Sequence, residues 1–305
     1  MSVLWSNIPE NLGPVPKFPH VQNFQKTDCG MMTIAGPCSI EDMQQMKDIG
    51  VVLRKDGVNY FRGGVYKAGT YPKDEYPMIN TDKLFIVDKI RKEYGLKYIT
   101  EIMDEKHLDI LDSHCDAYQI GARHMQDYFL LNALAKQDKP VFLKRNMGAT
   151  LHEFLGAAEY LCRHKTNIFL IERGSSSFMD HVRWELSVSV IAEIKRICGI
   201  PILVDASHGS GRRELVEPLT LAGIAAGADG FMCEIHPTPD ASLTDARQAI
   251  ALDEFSLLIE KVKFMYQLIR SFGNFGIRSV SDIVKVTWTG TDVINKDIEV
   301  EEKTS

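Results

Sequence analysis

Eight short apolar runs in this 305-residue chain each end in residues that can do chemistry. The first is followed by Gly36-Pro37-Cys38-Ser39. The second ends in Phe61-Arg62-Gly63-Gly64, with Lys67 close behind. The next three end in Thr100-Glu101, Gly121-Ala122-Arg123 and Leu143-Lys144-Arg145. The last three end in Glu172-Arg173-Gly174, Asp205-Ala206-Ser207-His208 and Glu234-Ile235-His236-Pro237. One set within these endings is cationic: Arg62, Lys67, Arg123, Lys144 and Arg173. Guanidinium groups bind phosphate or carboxylate bidentately, and an ammonium adds a point charge. Five cations on one rim repel one another unless an anion lies among them, so together they call for a small, multiply charged anion. Singly, each reads as well as a surface ion pair. A second set, Cys38, His208 and Glu234 with Asp245 as a further member, combines thiolate, imidazole and carboxylate. Those donors suit a divalent Mn, Fe, Co or Zn ion. Their spacing is long-range and forms no local metal motif. Alone, Cys38 reads as a buried small hydrophobe and His208 as a hydrogen-bonded loop histidine. His236 is an equal candidate by composition.

The elements that must position these residues follow from patterning. The apolar runs are Met31–Ala35, Val58–Arg62, Lys97–Glu101, Ala117–Gly121, Val141–Arg145, Ile168–Glu172, Ile200–Asp205 and Gly230–Glu234. Their length and β-branched content predict strands buried on both faces. Helical patterns lie between them at Asp42–Lys55, Leu151–His164, Trp184–Ile197 and Leu219–Gly227, with a closing helix at Glu254–Arg270. Strand–helix alternation implies parallel strands with right-handed crossovers. Eight units predict a closed (β/α)8 barrel, whose strand C-termini and following loops carry the chemistry. The alternative is an open doubly wound sheet, but no G-x-G-x-x-G turn follows the first strand. The division expected is an arm over 1–30, a catalytic barrel over 31–270 and an extension over 271–305. Within the extension, Val280–Trp288 alternates as a strand or exposed ribbon does. Gly209-Ser210-Gly211-Arg212-Arg213 reads either as a phosphate cradle at a helix start or as a loop with two solvated arginines.

Composition limits the function classes. A net charge of -6 leaves no global basic field, which argues against nucleic acid as a partner. No apolar run reaches the ~18–20 residues of a membrane span, and the N-terminus lacks a signal-peptide pattern. The six cysteines form no C-x-x-C pair. A reducing, cytoplasmic setting is expected.

In their order, the motifs Gly36-Pro37-Cys38-Ser39, Arg62-Gly63-Gly64 with Lys67, Gln119-Ile120-Gly121-Ala122-Arg123, Leu143-Lys144-Arg145, Glu172-Arg173-Gly174, Ser207-His208 and Glu234-Ile235-His236-Pro237 resemble the 3-deoxy-D-arabino-heptulosonate 7-phosphate (DAHP) synthases. They are similar to the short branch of that family, which also holds the 3-deoxy-octulosonate 8-phosphate synthases. The resemblance runs from Ile34 to Phe255, and the Gln119–Arg123 run sides with the DAHP branch. It implies condensation of phosphoenolpyruvate with erythrose 4-phosphate, on the shikimate route to aromatic amino acids. It also implies a divalent metal on Cys38, His208, Glu234 and Asp245. Ala122, Arg123, Lys144 and Arg173 match the phosphoenolpyruvate phosphate pocket. Arg62 and Lys67 match the carboxylate and reacting centre, and Glu101 a carboxylate that positions water. Thr70 and Asp205 fall among the substrate-binding positions. A homodimer or homotetramer is implied. Feedback inhibition is not expected, because the arm and extension are too short for an appended regulatory domain.

One departure bears on the acceptor. The family lysine is followed by Pro-Arg-Thr-Ser or Pro-Arg-Thr-Thr, whose Arg and Thr grip the sugar phosphate. This chain reads Lys67-Ala68-Gly69-Thr70-Tyr71. Losing a charge-assisted bond costs roughly 1.5–3 kcal/mol, so a different or unphosphorylated aldose is an alternative acceptor unless Lys73, Arg212 or Arg213 compensates. Two further alternatives are a non-catalytic anion-binding paralogue and a Schiff-base aldolase using Lys144 or Lys67.

Overall fold

Successive residues of a strand face opposite ways. In a closed parallel barrel one set faces the interior and the other faces the surrounding helices. The computed structural model, which describes residues 18–22, 30–65, 81–164 and 167–274, shows this arrangement. Its strands are β1 (Met32–Gly36), β2 (Tyr60–Arg62), β3 (Lys97–Ile102), β4 (Ala117–Ile120), β5 (Val141–Lys144), β6 (Ile168–Glu172), β7 (Ile202–Asp205) and β8 (Gly230–Glu234). They pair in chain order, and β1 closes on β8 with Met32 opposite Gly230 and Gly36 opposite Glu234. That pairing excludes the open sheet. Gly230 permits it, since a Cβ there would stand 1.8 Å from the Met32 carbonyl oxygen.

The interior is filled by Met32, Ile34, Tyr60, Ile99, Ala117, Phe142, Phe169, Ile171, Leu203 and Met232. Phe142 stacks on Phe169 at 4.5 Å, and Tyr60 meets Phe142 edge-on at 5.7 Å. This plug closes the lower barrel and leaves the C-terminal mouth to polar residues. The opposite faces, including Phe61, Tyr98, Leu143, Leu170, Val204 and Phe231, join the helices in a second, larger core.

Local signals set several helix ends. Asp42 caps Met43–Asp56 by accepting from the Gln45 N–H, and Gly57 closes it in the left-handed region. Thr150 and Glu153 form a capping box for Leu151–Cys162. Two predicted helices start elsewhere. The segment expected from Trp184 becomes helical only over Val188–Ile197, because Trp184 lies in a bend and Glu185 pairs with Ser175 in an antiparallel bridge. The helix expected from Leu219 starts earlier, as Val216–Ala225. Pro218 sits in its first turn, where a missing N–H costs nothing. The closing helix runs Leu252–Asn274. Of the N-terminal arm, Phe18 and Val21 are buried, and Glu159 accepts from the His20 and Val21 N–H groups. Val280–Trp288 lies outside the described residues. No helix of the described residues is long and apolar enough to cross a membrane.

Arg145 follows β5 and Glu172 ends β6 on the outward face, and there they form a buried pair at 2.9 Å. Arg145 also donates to the Ala149 carbonyl, and Glu172 accepts from the Gly174 N–H. Removing one partner of such a pair strands a buried charge. Arg145→Met is therefore expected to lower unfolding stability by about 3–5 kcal/mol in urea titration. An unchanged midpoint would show the pair to be dispensable.

Candidate active site

Strand parity decides which polar groups share the mouth. Continuing each inward-facing row gives Arg62 after Tyr60, Glu101 after Ile99, Gln119 after Ala117 and Lys144 after Phe142. The other rows give Arg173 after Ile171, Asp205 after Leu203 and Glu234 after Met232, with Cys38 two residues past Gly36. Asp205 and Glu234 lie beneath the mouth, and the rest line one cavity of ≈ 430 Å³ together with Ala122, Arg123, His208 and Asp245. The size suits a small ligand.

Cys38, Glu234 and Asp245 each offer one ligand atom, all within 4.8 Å of one another. The Cys38 thiol donates to Asp245 Oδ2 at 2.8 Å. Asp245 is the one non-glycine residue with positive φ among the described residues, at 54°. Such backbone strain is typical of functional sites, and here it turns the carboxylate toward Cys38. Glu234 is fully buried. Its Oε1 accepts from Arg62 Nη1 at 2.6 Å and lies 3.4 Å from His208 Nε2, while its Oε2 accepts from Gln248 Nε2 at 2.5 Å. The structure thus brings His208 to Glu234, whereas His236 turns to Glu41 at 3.5 Å. The donor set fits a divalent cation: a thiol and two carboxylates converge, and the His208 ring sits against them. The other ring nitrogen, Nδ1, faces the Asp205 carboxylate at 2.8 Å, an arrangement that orients ligating histidines.

Burial alone would raise the Asp205 carboxyl, but His208 and Lys144 outweigh it and hold the group well below the ordinary carboxylate range. Lys144 Nζ lies 2.8 Å from Asp205 Oδ2. Asp205, expected to touch substrate, is fully buried and outside the cavity lining; it anchors Lys144 and His208 instead. Burial pushes His208 down, which favours the neutral ring a metal needs. Burial likewise raises Glu234, yet His208 and Arg62 more than offset it, and the net shift is downward.

Arg173 is 4% exposed, and its guanidinium lies 5.4 Å over the Trp184 ring. Its Nη1 is buried without a hydrogen-bond partner. A buried, unsatisfied cationic donor lining a cavity is a feature an anionic ligand accounts for. Arg183 lines the same cavity. Sequence reading missed it because it lies in the loop after β6, outside any strand ending. It also missed Gln248, which holds Glu234 from the loop after β8. Lys67, Gly69, Thr70, Tyr71 and Lys73 lie outside the described residues.

Gly121 guards Glu101, since a Cβ there would come 1.9 Å from Glu101 Oε1. The obstructed atom is the end of a flexible side chain, so Gly121→Ala is expected to fold while displacing the carboxylate. Misplacement on the 1 Å scale costs ~10²-fold in rate. That loss of kcat/KM, with a melting temperature close to wild type, is the expected result. Full activity would exclude a catalytic need for Glu101 in its present position.

The family model described as the DAHP synthetase I family matches residues 21–270. The phospho-2-dehydro-3-deoxyheptonate aldolase of Thermotoga maritima is 38% identical over 231 residues, covering 75% of this chain and 68% of that protein. The crystal structure of a Thermotoga maritima protein of that name, also called DAHP synthase, aligns with a TM-score of 0.74 and 36% identity, covering 80% of this chain and 70% of that one. A 2-dehydro-3-deoxyphosphooctonate aldolase of Desulfotalea psychrophila is 29% identical, over 76% of this chain and 88% of that protein.

Proposed function

The chain belongs to the DAHP synthetase I family, and on that premise we propose that it condenses phosphoenolpyruvate with erythrose 4-phosphate at the mouth of its barrel, with a divalent metal bound there. It is an enzyme of the transferase kind that this family comprises, using phosphoenolpyruvate and an aldose phosphate. The observation that carries the reading is one cavity lined by Arg62, Arg123, Lys144 and Arg173 together with Cys38, His208 and Asp245.

In this reading Arg123, Arg173 and the Ala122 backbone hold the phosphoenolpyruvate phosphate. Lys144, braced by Asp205, reaches both phosphate and carboxylate. Arg62 and Lys67 hold the carboxylate at the reacting carbon. Cys38, His208, Glu234 and Asp245 would hold a Mn, Fe, Co or Zn ion, which would supply Lewis-acid polarisation of an aldehyde oxygen. The C3 methylene of phosphoenolpyruvate forms the new bond to the aldehyde carbon. Water, positioned by Glu101, adds at C2. One water proton goes to the former aldehyde oxygen. The other leaves with phosphate as the C2–O bond breaks, giving a 3-deoxy-2-ulosonate. Fixed cations meet the charge throughout, which is electrostatic preorganisation. The catalytic unit is residues 31–270, acting in the cytoplasm as a homodimer or homotetramer.

Gly69 favours a second acceptor, an aldose other than erythrose 4-phosphate, and Thr70 remains the polar residue of that segment proposed to touch it. Purified protein with Mn(II) is expected to release inorganic phosphate from phosphoenolpyruvate only when an aldose is present. No release across tetroses and pentoses, phosphorylated and free, would sink the reading. Comparing kcat/KM among them ranks the acceptors.

A further inference from the structure

We infer a second anion subsite, built by Arg183 and Arg247, that grips a terminal phosphate ester on the aldose acceptor; this rests on the activity proposed above. A second cleft of ≈ 890 Å³ adjoins the reaction cavity, and Arg183 and Asp245 line both. An aldehyde placed beside Asp245 can therefore extend its far end past Arg183 into that cleft. Between Lys67 and Tyr71 the chain has no arginine, so the cations for that far end are supplied from elsewhere on the rim.

Arg183 is built into its place. Its backbone N–H donates to the Ser210 carbonyl at 2.9 Å. Its stem crosses Gly211, where a Cβ would stand 2.7 Å from Arg183 Cβ. Gly211 has a φ of +66°, so any other residue there is strained as well as obstructed. The guanidinium rests 6.0 Å over the Trp184 ring. Its acidic contact among the described residues is Asp245 Oδ1 at 3.7 Å, beyond hydrogen-bond reach. The backbone of Arg183 is thus fixed by the Ser210 bond and its guanidinium rests on a ring face, which leaves its donors for a ligand.

Four arginines and four acids line the cleft, but most of them are engaged with other groups. Arg213 is consumed by Asp240 and by the Ala246 and Ala249 carbonyls. Arg212 lies 3.6 Å from Glu214 and donates to the His181 carbonyl. Asp245 serves the Cys38 and Glu234 set. Arg183 and the exposed Arg247 remain, against the one further acid in the lining, Asp180. Arg247 has no ion pair among the described residues. The Arg213 N–H bond to its carbonyl at 2.8 Å fixes its backbone at the rim. Two arginines from different loops facing one cleft suit a phosphate dianion, with bidentate bonds from each.

The test compares erythrose 4-phosphate with erythrose, and arabinose 5-phosphate with arabinose, in phosphate release by wild type, Arg183→Gln and Arg247→Gln. Wild type is expected to prefer the phosphorylated sugar of each pair. Each variant should cut that preference about ten- to hundredfold, through KM for the sugar phosphate, with KM for phosphoenolpyruvate as the internal reference. Arg247→Lys should recover part of the preference. Release that ignores the terminal phosphate, or variants that slow both sugars of a pair alike, overturns the subsite alone. No release with any sugar overturns the proposed activity and the subsite with it.

Discussion

Cys38→Ala is expected to cut kcat/KM by ~10³-fold or more and to strip the protein of its metal. The size follows from what the ligand does. Changing a residue that merely orients a ligand costs 10–100-fold, roughly, in metal affinity or activity, and Lewis-acid polarisation supplies several kcal/mol, where each ~1.4 kcal/mol is tenfold in rate. Cys38 is 9% exposed and donates to Asp245 at 2.8 Å, so its loss also frees the carboxylate beside it. The alanine leaves a gap the size of one sulfur atom, and the fold should survive. Two measurements are needed: bound metal per chain after dialysis against Mn(II), and phosphate release. A variant that keeps its metal and full activity would remove Cys38 from the ligand set. Cys38→Ser, with a harder and weaker donor, should fall between the two.

Arg173→Met is expected to weaken phosphoenolpyruvate binding by about 10- to 150-fold, the equivalent of the roughly 1.5–3 kcal/mol of a charge-assisted hydrogen bond. Methionine keeps an apolar stem against Trp184. The free protein should be no less stable, because burial already disfavours the Arg173 cation and pulls its pKa down, and its Nη1 has no partner to lose. Weaker binding at undiminished stability separates a ligand-holding role from a structural one. Arg145→Met is expected to do the reverse. Calorimetric titration with phosphoenolpyruvate and a thermal melt test both points. A dissociation constant within twofold of wild type would place the phosphate away from Arg173.

Much of this site is local in origin and so legible early. Alternation within a run is a property of the run, so the polar residue at each strand's end can be named from the sequence. Cys38, Arg62, Glu101, Lys144, Arg173, His208 and Glu234 were all reached that way. Parity would have said more: Lys144 and Arg145 are neighbours, yet one faces the mouth and the other a buried glutamate on the outside. By the same rule Asp205 faces inward, but one layer deep, and the fold uses it as a brace.

Barrel closure and the loops were beyond local reading. Cys38 and Asp245 stand 207 positions apart and meet at 2.8 Å because β1 pairs with β8. Composition could not choose between His208 and His236, which directly follow Ala206-Ser207 and Glu234-Ile235 respectively. Packing chose, turning one to Glu234 and the other to Glu41. Arg183 carried no periodic signal at all. Its place depends on a bridge between Ser175 and Glu185 and on a glycine in the next loop. The sequence on its own determined the strand–helix alternation, the strand ends and the chemistry their residue types allow, because those rest on near-neighbour patterning. The tertiary structure decided which of those residues share a cavity, because that depends on register between distant strands and on loops whose conformation is set by what they pack against.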